Sequence, residues 1–510
     1  MHELQGTLTA LEEQARAAIV ELASRGIDTD QELAWRLAHA TSALAAANAL
    51  LEESRVPRAT ASFGATILAR EVASELVALD VVDAAHLALP PRPTPKEAAE
   101  VVEAGAQWSL GPELDLARET FARFARDVIE PVASEVHRRN LDVPEEIIEG
   151  LAALGAFGMT IPERYGGSAT GTVEDTLAML VATEELSRAS LGIGGSLITR
   201  PEIITRALLE GGTEEQRQEY LPTLASGAIM GAVAVTEPDY GSDVAGITTQ
   251  GIVDGDTVTL RGVKTWCTFA GRANVLAVLA RTEPDPALRH RGLSLILVDK
   301  PPVPGHSFEL EVGGGSLVGR AIDTLGYRGM HSYEVAFDDV RVSIDRLVGG
   351  ELGRGRGFYL QMAAFANGRL QTVARAIGLM EAACAAATDY AAHRRVFGHN
   401  LSEYTLTTAK LARMLATIAA ARALSYRSAA ELDTPRGALA SSMAKAWACR
   451  QAEAVTREAM QLHGGMGYAE EYPVSRYFVD ARVLSIFEGA DETLSLRVIA
   501  RALAGAGSSS

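Results

Sequence analysis

Gln461-Leu462-His463-Gly464-Gly465-Met466-Gly467-Tyr468, then Tyr472-Pro473, Ser475-Arg476, Asp480-Ala481-Arg482-Val483-Leu484 and Ser485-Ile486-Phe487-Glu488-Gly489-Ala490-Asp491-Glu492, is the stretch on which the reading of this chain turns. Its last part sets one carboxylate, Glu488, at a glycine-flexed corner just before an amphipathic helix. With apolar Ile486 and Phe487 ahead of it, that carboxylate is expected to be partly desolvated, which raises its pKa towards the range for removing a carbon-bound proton. Acids near a helix N-terminus more commonly serve the helix dipole, and Asp491 and Glu492 fit that role.

Three segments upstream change the weight of Glu488. They are Val235-Thr236-Glu237-Pro238 with Gly241-Ser242-Asp243-Val244-Ala245-Gly246; Lys264-Thr265-Trp266-Cys267-Thr268; and Tyr390-Ala391 with Arg394-Arg395 and Phe397-Gly398. In this order, and with the C-terminal stretch, they resemble the acyl-CoA dehydrogenase family over about the last 400 residues. The resemblance implies a mainly α chain with a central β domain: a helical domain, a β-barrel-like domain and a C-terminal four-helix bundle. It also implies FAD as cofactor, an acyl-CoA as substrate and electron-transfer flavoprotein as electron acceptor.

Bulk composition agrees with a folded, multidomain protein. At 510 residues, 47% of them hydrophobic, the chain exceeds one ordinary core and has material for two or three. The formal charge of −18 argues against nucleic acid or an anionic membrane as the main partner. Cys267, Cys384 and Cys449 are widely spaced, without a CxxC pair or Cys/His cluster, so reduced thiols and no metal site are expected. Met1-His2-Glu3-Leu4 carries an acid where a secretory signal would be basic, and the Ala-rich run Leu37 to Leu51 is too short and too polar to span a bilayer. A cytoplasmic protein is expected.

Periodicity divides the chain. Leu8, Leu11, Ala15 and Ile19, then Leu37, Leu44 and Leu51, recur at helical spacing, so residues 1–110 read as a helical extension with a packing or oligomer-stabilising role. The run Pro90-Pro91-Arg92-Pro93 is a stiff linker or domain edge near its end. Residues 111–229 remain helical, with Phe121, Phe124 and Val128 on one side. Between 230 and 346 short β-branched runs, such as Val258-Thr259-Leu260 and Leu293 to Val298, alternate with Gly and Asp turns. Long helices return over 347–505, including one from about Tyr404 to Ala430. Residues 506–510 read as a flexible tail.

The family's chemistry, carried over residue by residue, makes Glu488 the base that takes the α-proton while a hydride leaves Cβ for the flavin. The thioester oxygen then accepts hydrogen bonds from the Glu488 backbone N–H and a flavin ribityl hydroxyl. Some family members carry the base immediately before an Arg on an earlier helix; here that tripeptide is Asn367-Gly368-Arg369, and Gly368 cannot act. The flavin would be met by Val235, Thr236, Gly241 and Ser242, by Trp266 against the ring system, and by Thr268 near N5. Arg394 and Phe397 would reach the FAD of a neighbouring subunit, with Gln461, Gly464 and Gly465 cradling its adenosine end and Ala490 and Glu492 close to the cofactor. Ala490 departs from the family's usual Thr. Shared sites imply a homodimer or homotetramer. His463 and Met466 read as packing residues.

Longer runs, Trp266 to Asn274, Gly357 to Met362, Gly368 to Thr372 and Ser475-Arg476-Tyr477, resemble one subgroup that oxidises (2S)-methylsuccinyl-CoA to mesaconyl-CoA in the ethylmalonyl-CoA pathway. Such a substrate carries a free carboxylate, which needs a cationic or multi-donor partner once buried. Arg200 is the candidate partner, with Ser242, Arg369 and Gly489 as further substrate contacts. The alternatives are another short or branched acyl-CoA, a flavin oxidase or monooxygenase on the same fold, and a non-catalytic scaffold, which intact Glu488 and the flavin segments oppose.

Overall fold

The computed structural model describes residues 2–505, so the tail expected at 506–510 lies outside the described residues. Along the chain run helices α1 (His2–Arg25), α2 (Gln31–Glu52), α3 (Arg58–Ala78), α4 (Pro95–Ala104), α5 (Pro112–Phe124), α6 (Glu130–Arg139), α7 (Glu145–Ala153), α8 (Val173–Ala189), α9 (Thr199–Gly211) and α10 (Glu214–Ala225). Strands β1 (Gly231–Ala234), β2 (Gln250–Asp254), β3 (Thr257–Thr268), β4 (Val275–Arg281), β5 (Leu293–Asp299), β6 (Ser307–Val312), β7 (Gly315–Ile322) and β8 (Ser332–Ser343) follow. Then come α11 (Gly357–His393), the short pair β9 (Arg395–Val396) and β10 (His399–Asn400), α12 (Thr405–Glu431), α13 (Gly437–His463) and α14 (Pro473–Leu484). Contacts gather these into two compact units, one made of the residues up to Thr120 together with those from Arg369 on, the other of Phe121–Gly368. Among the described residues no helix is long and apolar enough to cross a membrane.

Among the described residues the strands of the first unit are β9 and β10, and its other regular elements are helices. On α1, Leu4, Leu8, Leu11, Ala15, Ile19 and Leu22 are buried at the three-to-four spacing that puts them on one stripe. Asp30 starts α2 by accepting a hydrogen bond from Leu33 N at 3.0 Å. The proline run 90–93 leads into α4, whose start is fixed by Pro95 and a reciprocal Thr94–Glu97 capping box. Helices here approach closely: a Cβ on Gly64 of α3 would stand 2.7 Å from Leu50 Cδ2 and 3.2 Å from Ala416 Cβ, so α2, α3 and α12 meet where only hydrogen fits. Phe63, Ala98, Val101, Ala412 and Ala416 form the apolar cluster there. Fully buried Arg422 ties residues 106–107 to the bundle. It donates to Ala106 O at 2.8 Å and to Glu381 Oε1 at 2.6 Å, and Glu381 also accepts from Gln107 Nε2.

The second unit holds an eight-stranded sheet in the order β1-β4-β2-β3-β8-β7-β6, with β5 added on β4. β1 runs parallel to β4, and β5 pairs antiparallel with it. Successive residues of β4 serve two cores, as a period of two requires: Val275, Ala277 and Leu279 join the cluster containing Leu208, Leu221 and Leu224, whereas Leu276, Val278 and Ala280 join the cluster under β3 and β8. Burial on both faces explains why β4 and β5 read as continuous apolar runs. Phe121, Ile129, Leu186 and Ile193 belong to a third, helical core with Phe124 and Val128 packed against it.

Candidate functional site

In the helical unit, Ser485 caps the end of α14, and its carbonyl accepts from Asp491 N at 3.1 Å and so closes the corner over residues 485–491. Inside the corner two residues in succession are left-handed, Glu488 (φ 53) and Gly489 (φ 101). That conformation strains a non-glycine residue, so its occurrence at the candidate base means that the surroundings hold it there. Lys445 of α13, fully buried, donates to Gly489 O at 2.6 Å. Ser485 Oγ donates to Glu453 Oε1 at 2.6 Å.

The Glu488 side chain is buried and held by α11. Thr372 Oγ1 donates to Oε2 at 2.7 Å, and Arg375 Nη2 donates to Oε1 and Oε2 at 2.9 and 3.0 Å. Arg375 has no exposed side-chain surface and stands over the Phe487 ring at 5.0 Å. Arg369, Thr372 and Arg375 recur every three residues and so share a stripe of α11. Arg369 Nη1 donates to Ser442 Oγ at 3.3 Å, and its Nε is buried without a hydrogen-bond partner among the described residues. Burial presses the Arg369 guanidinium below its ordinary pKa, opposed by the Glu488 charge. Gln371 is also buried, with neither amide atom bonded. The expected apolar setting for Glu488 is therefore corrected: Ile486 is 54% exposed, and the carboxylate faces a buried guanidinium and a hydroxyl.

The sheet unit builds the other set of expected residues around a pair absent from the expectations. Glu237 and Lys264 are both buried, with Lys264 Nζ 2.9 Å from Glu237 Oε1 and also donating to Val235 O. Thr248 N and Thr249 N donate to the same carboxylate at 2.7 and 2.8 Å. Burial alone would raise the Glu237 pKa, but the Lys264 charge and these hydrogen bonds outweigh it and bring it down to about 2. Thr236 O then accepts from Thr265 N at 2.8 Å, locking the Val235-Thr236 turn beside β3. A register shift between Lys264 and Cys267 bulges β3 away from β8, and Trp266 within it is left-handed (φ 57) and 55% exposed. A large ring held out on strained backbone suits a planar partner. Gly241 and Ser242 are exposed in the turn, whereas Thr268 is buried with its hydroxyl 2.9 Å from Ser332 Oγ.

The remaining candidates fall as follows. β9 and β10 form a tight hairpin with Arg394 exposed at its entry and Phe397 at its tip, left-handed (φ 50) and 92% exposed. Gln461, Gly464 and Gly465 are exposed where α13 ends, and a Cβ on either glycine would meet open space, leaving room for a ligand. Ala490 is half-buried and Glu492 exposed just past the corner. Arg200 is buried in the sheet unit, with Nη2 donating to Thr199 Oγ1 at 3.3 Å, which excludes a surface role. His463 is buried and stacked on Tyr390 at 4.4 Å, as a packing residue should be, but Met466 is 39% exposed and is corrected to a surface residue. Asp491 stands in the first turn of the helical run that begins there, as expected of a helix acid, and its carboxylate in addition bonds Trp35 and His39 of α2. All three cysteines are free and buried, their thiols pushed up to about 12 by desolvation. The structure also gathers Asp142, His306 and His331, with ligand-capable atoms within 4.8 Å of one another, a grouping spread over 190 residues that spacing alone does not reveal.

Three family models match the chain: "Acyl-CoA dehydrogenase, N-terminal domain" over residues 111–228, "middle domain" over 232–340 and "C-terminal domain" over 355–504. A (2S)-methylsuccinyl-CoA dehydrogenase from Cereibacter sphaeroides is 43% identical over 395 residues, 77% of this chain and 70% of that protein. Among solved structures, the butyryl-CoA dehydrogenase of Megasphaera elsdenii superposes with a TM-score of 0.70 at 29% identity, covering 79% of this chain and 99% of that one. A glutaryl-CoA dehydrogenase from Mycobacterium smegmatis in complex with FADH2 gives 0.68 at 25% identity, covering 78% and 95%.

Proposed function

Since the chain belongs to the acyl-CoA dehydrogenase family, and is thus an FAD-dependent oxidoreductase acting on CH–CH groups of acyl-CoA thioesters, we propose that it oxidises (2S)-methylsuccinyl-CoA to mesaconyl-CoA with Glu488 as base. The observation that carries the diacid part is the α11 stripe: two buried guanidiniums, Arg369 and Arg375, accompany one catalytic carboxylate, and Arg369 Nε is buried without a bond. Burying a cation without full pairing is costly, and a substrate carboxylate relieves that cost. The distal carboxylate of methylsuccinyl-CoA is attached to Cβ, one bond from the Cα that Glu488 deprotonates, so one cluster can serve both ends of the reacting bond. Arg369 and Arg375 join Arg200 as candidate partners of that carboxylate.

Glu488 takes the α-proton on a carboxylate oxygen, and its backbone N–H steadies the thioester oxygen as negative charge develops there. The chemistry that FAD would supply, when held by the residues below, is that of an acceptor for the hydride leaving Cβ. Thr372 and Arg375 orient the carboxylate before substrate arrives, and Lys445 holds the Gly489 carbonyl so that the corner keeps its strained form. Val235, Thr236, Gly241, Ser242, Trp266 and Thr268 would hold the cofactor, Ala490 and Glu492 would lie close to it, and Arg394, Phe397, Gln461, Gly464 and Gly465 would reach the FAD of a neighbouring subunit. Cofactor contacts through Arg394 and Phe397 imply a homodimer or homotetramer. The same reading assigns residues 1–110 to an extension, and 111–229, 230–346 and 347–505 to three domains of an enzyme of the ethylmalonyl-CoA pathway that passes electrons to electron-transfer flavoprotein.

The test is kcat/KM with an artificial acceptor for (2S)- and (2R)-methylsuccinyl-, butyryl-, isobutyryl- and octanoyl-CoA. Unsatisfied polar groups discriminate by about 10⁴ or more, a missing methylene by only about 10- to 200-fold, so the panel should split by charge before length. Butyryl- or octanoyl-CoA equalling the (2S)-diacid would overturn the substrate assignment. Reoxidation of the reduced enzyme by oxygen as fast as by electron-transfer flavoprotein would favour an oxidase.

A further inference from the structure

Residues 1–110 lie outside the three matched family models, yet α2 within them reaches the corner that carries Glu488. Trp35 Nε1 donates to Asp491 Oδ2 at 2.8 Å, and His39 Nε2 lies 3.0 Å from the same oxygen. Trp35 and His39 are four apart and so share one helix face; their rings meet edge to face at 4.8 Å, and the Arg450 guanidinium stands 4.6 Å over the Trp35 ring. His39 Nε2 is also 3.4 Å from Ser495 Oγ. Asp491 itself is buried, with Oδ1 lacking a hydrogen-bond partner among the described residues. Asp491 opens a helical run that continues to Gly505, and the dipole of that run accounts for a charge at its start but not for the bonds the side chain makes to α2.

The corner needs such an anchor. A non-glycine residue in left-handed backbone is strained and persists only where its surroundings over-determine it. Ser485 is tied to Glu453 at one end, Lys445 grips Gly489 in the middle, and at the far end Asp491 bonds Ser485 O through its N–H and α2 through its side chain. Were the Trp35 and His39 bonds lost with α2 still packed in place, the far end would keep its backbone bond and leave a buried carboxylate poorly paired, and the corner would relax to satisfy it.

We propose that α2 of the N-terminal extension, through Trp35 and His39 acting on Asp491, is a positioning element for the base at Glu488. This rests on the reading of Glu488 as base, and the extension is then part of the catalytic apparatus as well as a packing cap. Trp35 and His39 are positioning residues, since they touch the corner and not the carboxylate that reacts.

The test uses purified FAD-loaded full-length enzyme and anaerobic flavin bleaching by whichever of (2S)-methylsuccinyl-CoA and butyryl-CoA the wild type oxidises faster. Misplacing a reacting group by about 1 Å costs up to about 100-fold, so Trp35→Phe with His39→Leu should lower kcat about 10- to 100-fold while KM and the flavin-to-protein ratio stay within about threefold. Trp35→Phe alone, which keeps the ring and removes one N–H, should lower kcat about 3- to 10-fold by the same logic. His39→Gln, which keeps a donor, should restore most of the loss seen with His39→Leu. A double variant with full flavin and wild-type kcat would overturn the proposal. So would a kcat loss matched by flavin loss, or His39→Gln as slow as His39→Leu, because packing alone would then explain the contact. Should the double variant not fold, the single variants decide by the same criteria. Glu488→Gln run alongside separates the two readings: its bleaching at the wild-type rate sinks the base assignment, whereas its collapse beside an unimpaired double variant sinks only the role of α2.

Discussion

Two of the buried carboxylates of this protein each meet a buried cation at 2.9 Å, Glu488 with Arg375 among the helices and Glu237 with Lys264 beside the sheet, yet the two pairs do different work. Glu237 receives backbone N–H groups from Thr248 and Thr249 in addition to Lys264, and its pKa falls to about 2. It is an anchor whose bonds come from chain that cannot leave without unfolding the turn. Glu488 is gripped by the side chains of Thr372 and Arg375 from another helix and stands on left-handed backbone. Side-chain grips can be exchanged for a substrate's groups, and a strained corner keeps its carboxylate aimed. A buried ion pair therefore says little about function until the source of its remaining hydrogen bonds is known.

The sharpest way to break this contrast is Glu488→Gln, which should retain FAD and fold but lower anaerobic flavin bleaching about 10³- to 10⁴-fold, the loss expected on removing a general base. Near-normal bleaching would put the two carboxylates back in one class. Arg369→Leu should lower kcat/KM for (2S)-methylsuccinyl-CoA about 10²- to 10³-fold, the cost of stripping a buried charge partner, while leaving butyryl-CoA oxidation within a few-fold. Equal losses on both thioesters would show that Arg369 supports the fold and not the diacid.

Glu237→Gln should act on stability in place of chemistry. Breaking a buried pair from one side costs about 3 to 5 kcal/mol, read as a lowered urea midpoint with turnover per bound flavin retained. The same carboxylate predicts an acid limit. Its folded pKa of about 2 lies below the ordinary 4.5, so its contribution is complete above about pH 4.5 and is lost as the pH falls towards 2. That loss amounts to about 3 kcal/mol, and a Glu237→Gln variant whose stability falls as steeply as the wild type over this window would refute it. The smallest effect expected is at the exposed hairpin: Arg394→Ala should weaken FAD retention by about tenfold, the low end for a charged hydrogen bond, measured as flavin-to-protein ratio after gel filtration. An unchanged ratio would remove Arg394 from the cofactor site.

Much of this molecule is legible in its sequence because the relevant forces act between near neighbours. Three-to-four spacing of Leu8, Leu11, Ala15 and Ile19 determined the buried stripe of α1, and apolar runs bounded by turns determined β4 and β5. The Glu488-Gly489 corner was visible because glycine chemistry is local, and the same holds for the glycines after α13. The tertiary structure alone decided what surrounds these features. Arg375 pairs with Glu488 across 113 residues and His39 with Asp491 across 452, and an arginine or histidine on a helix carries no local sign of whether it will face water or a buried carboxylate. Asp491 shows the limit most plainly. In sequence it stands where a helix acid belongs, and the packing of α2 gives it another task, because the free energy of burying a charge depends on which distant groups the fold brings within hydrogen-bond reach.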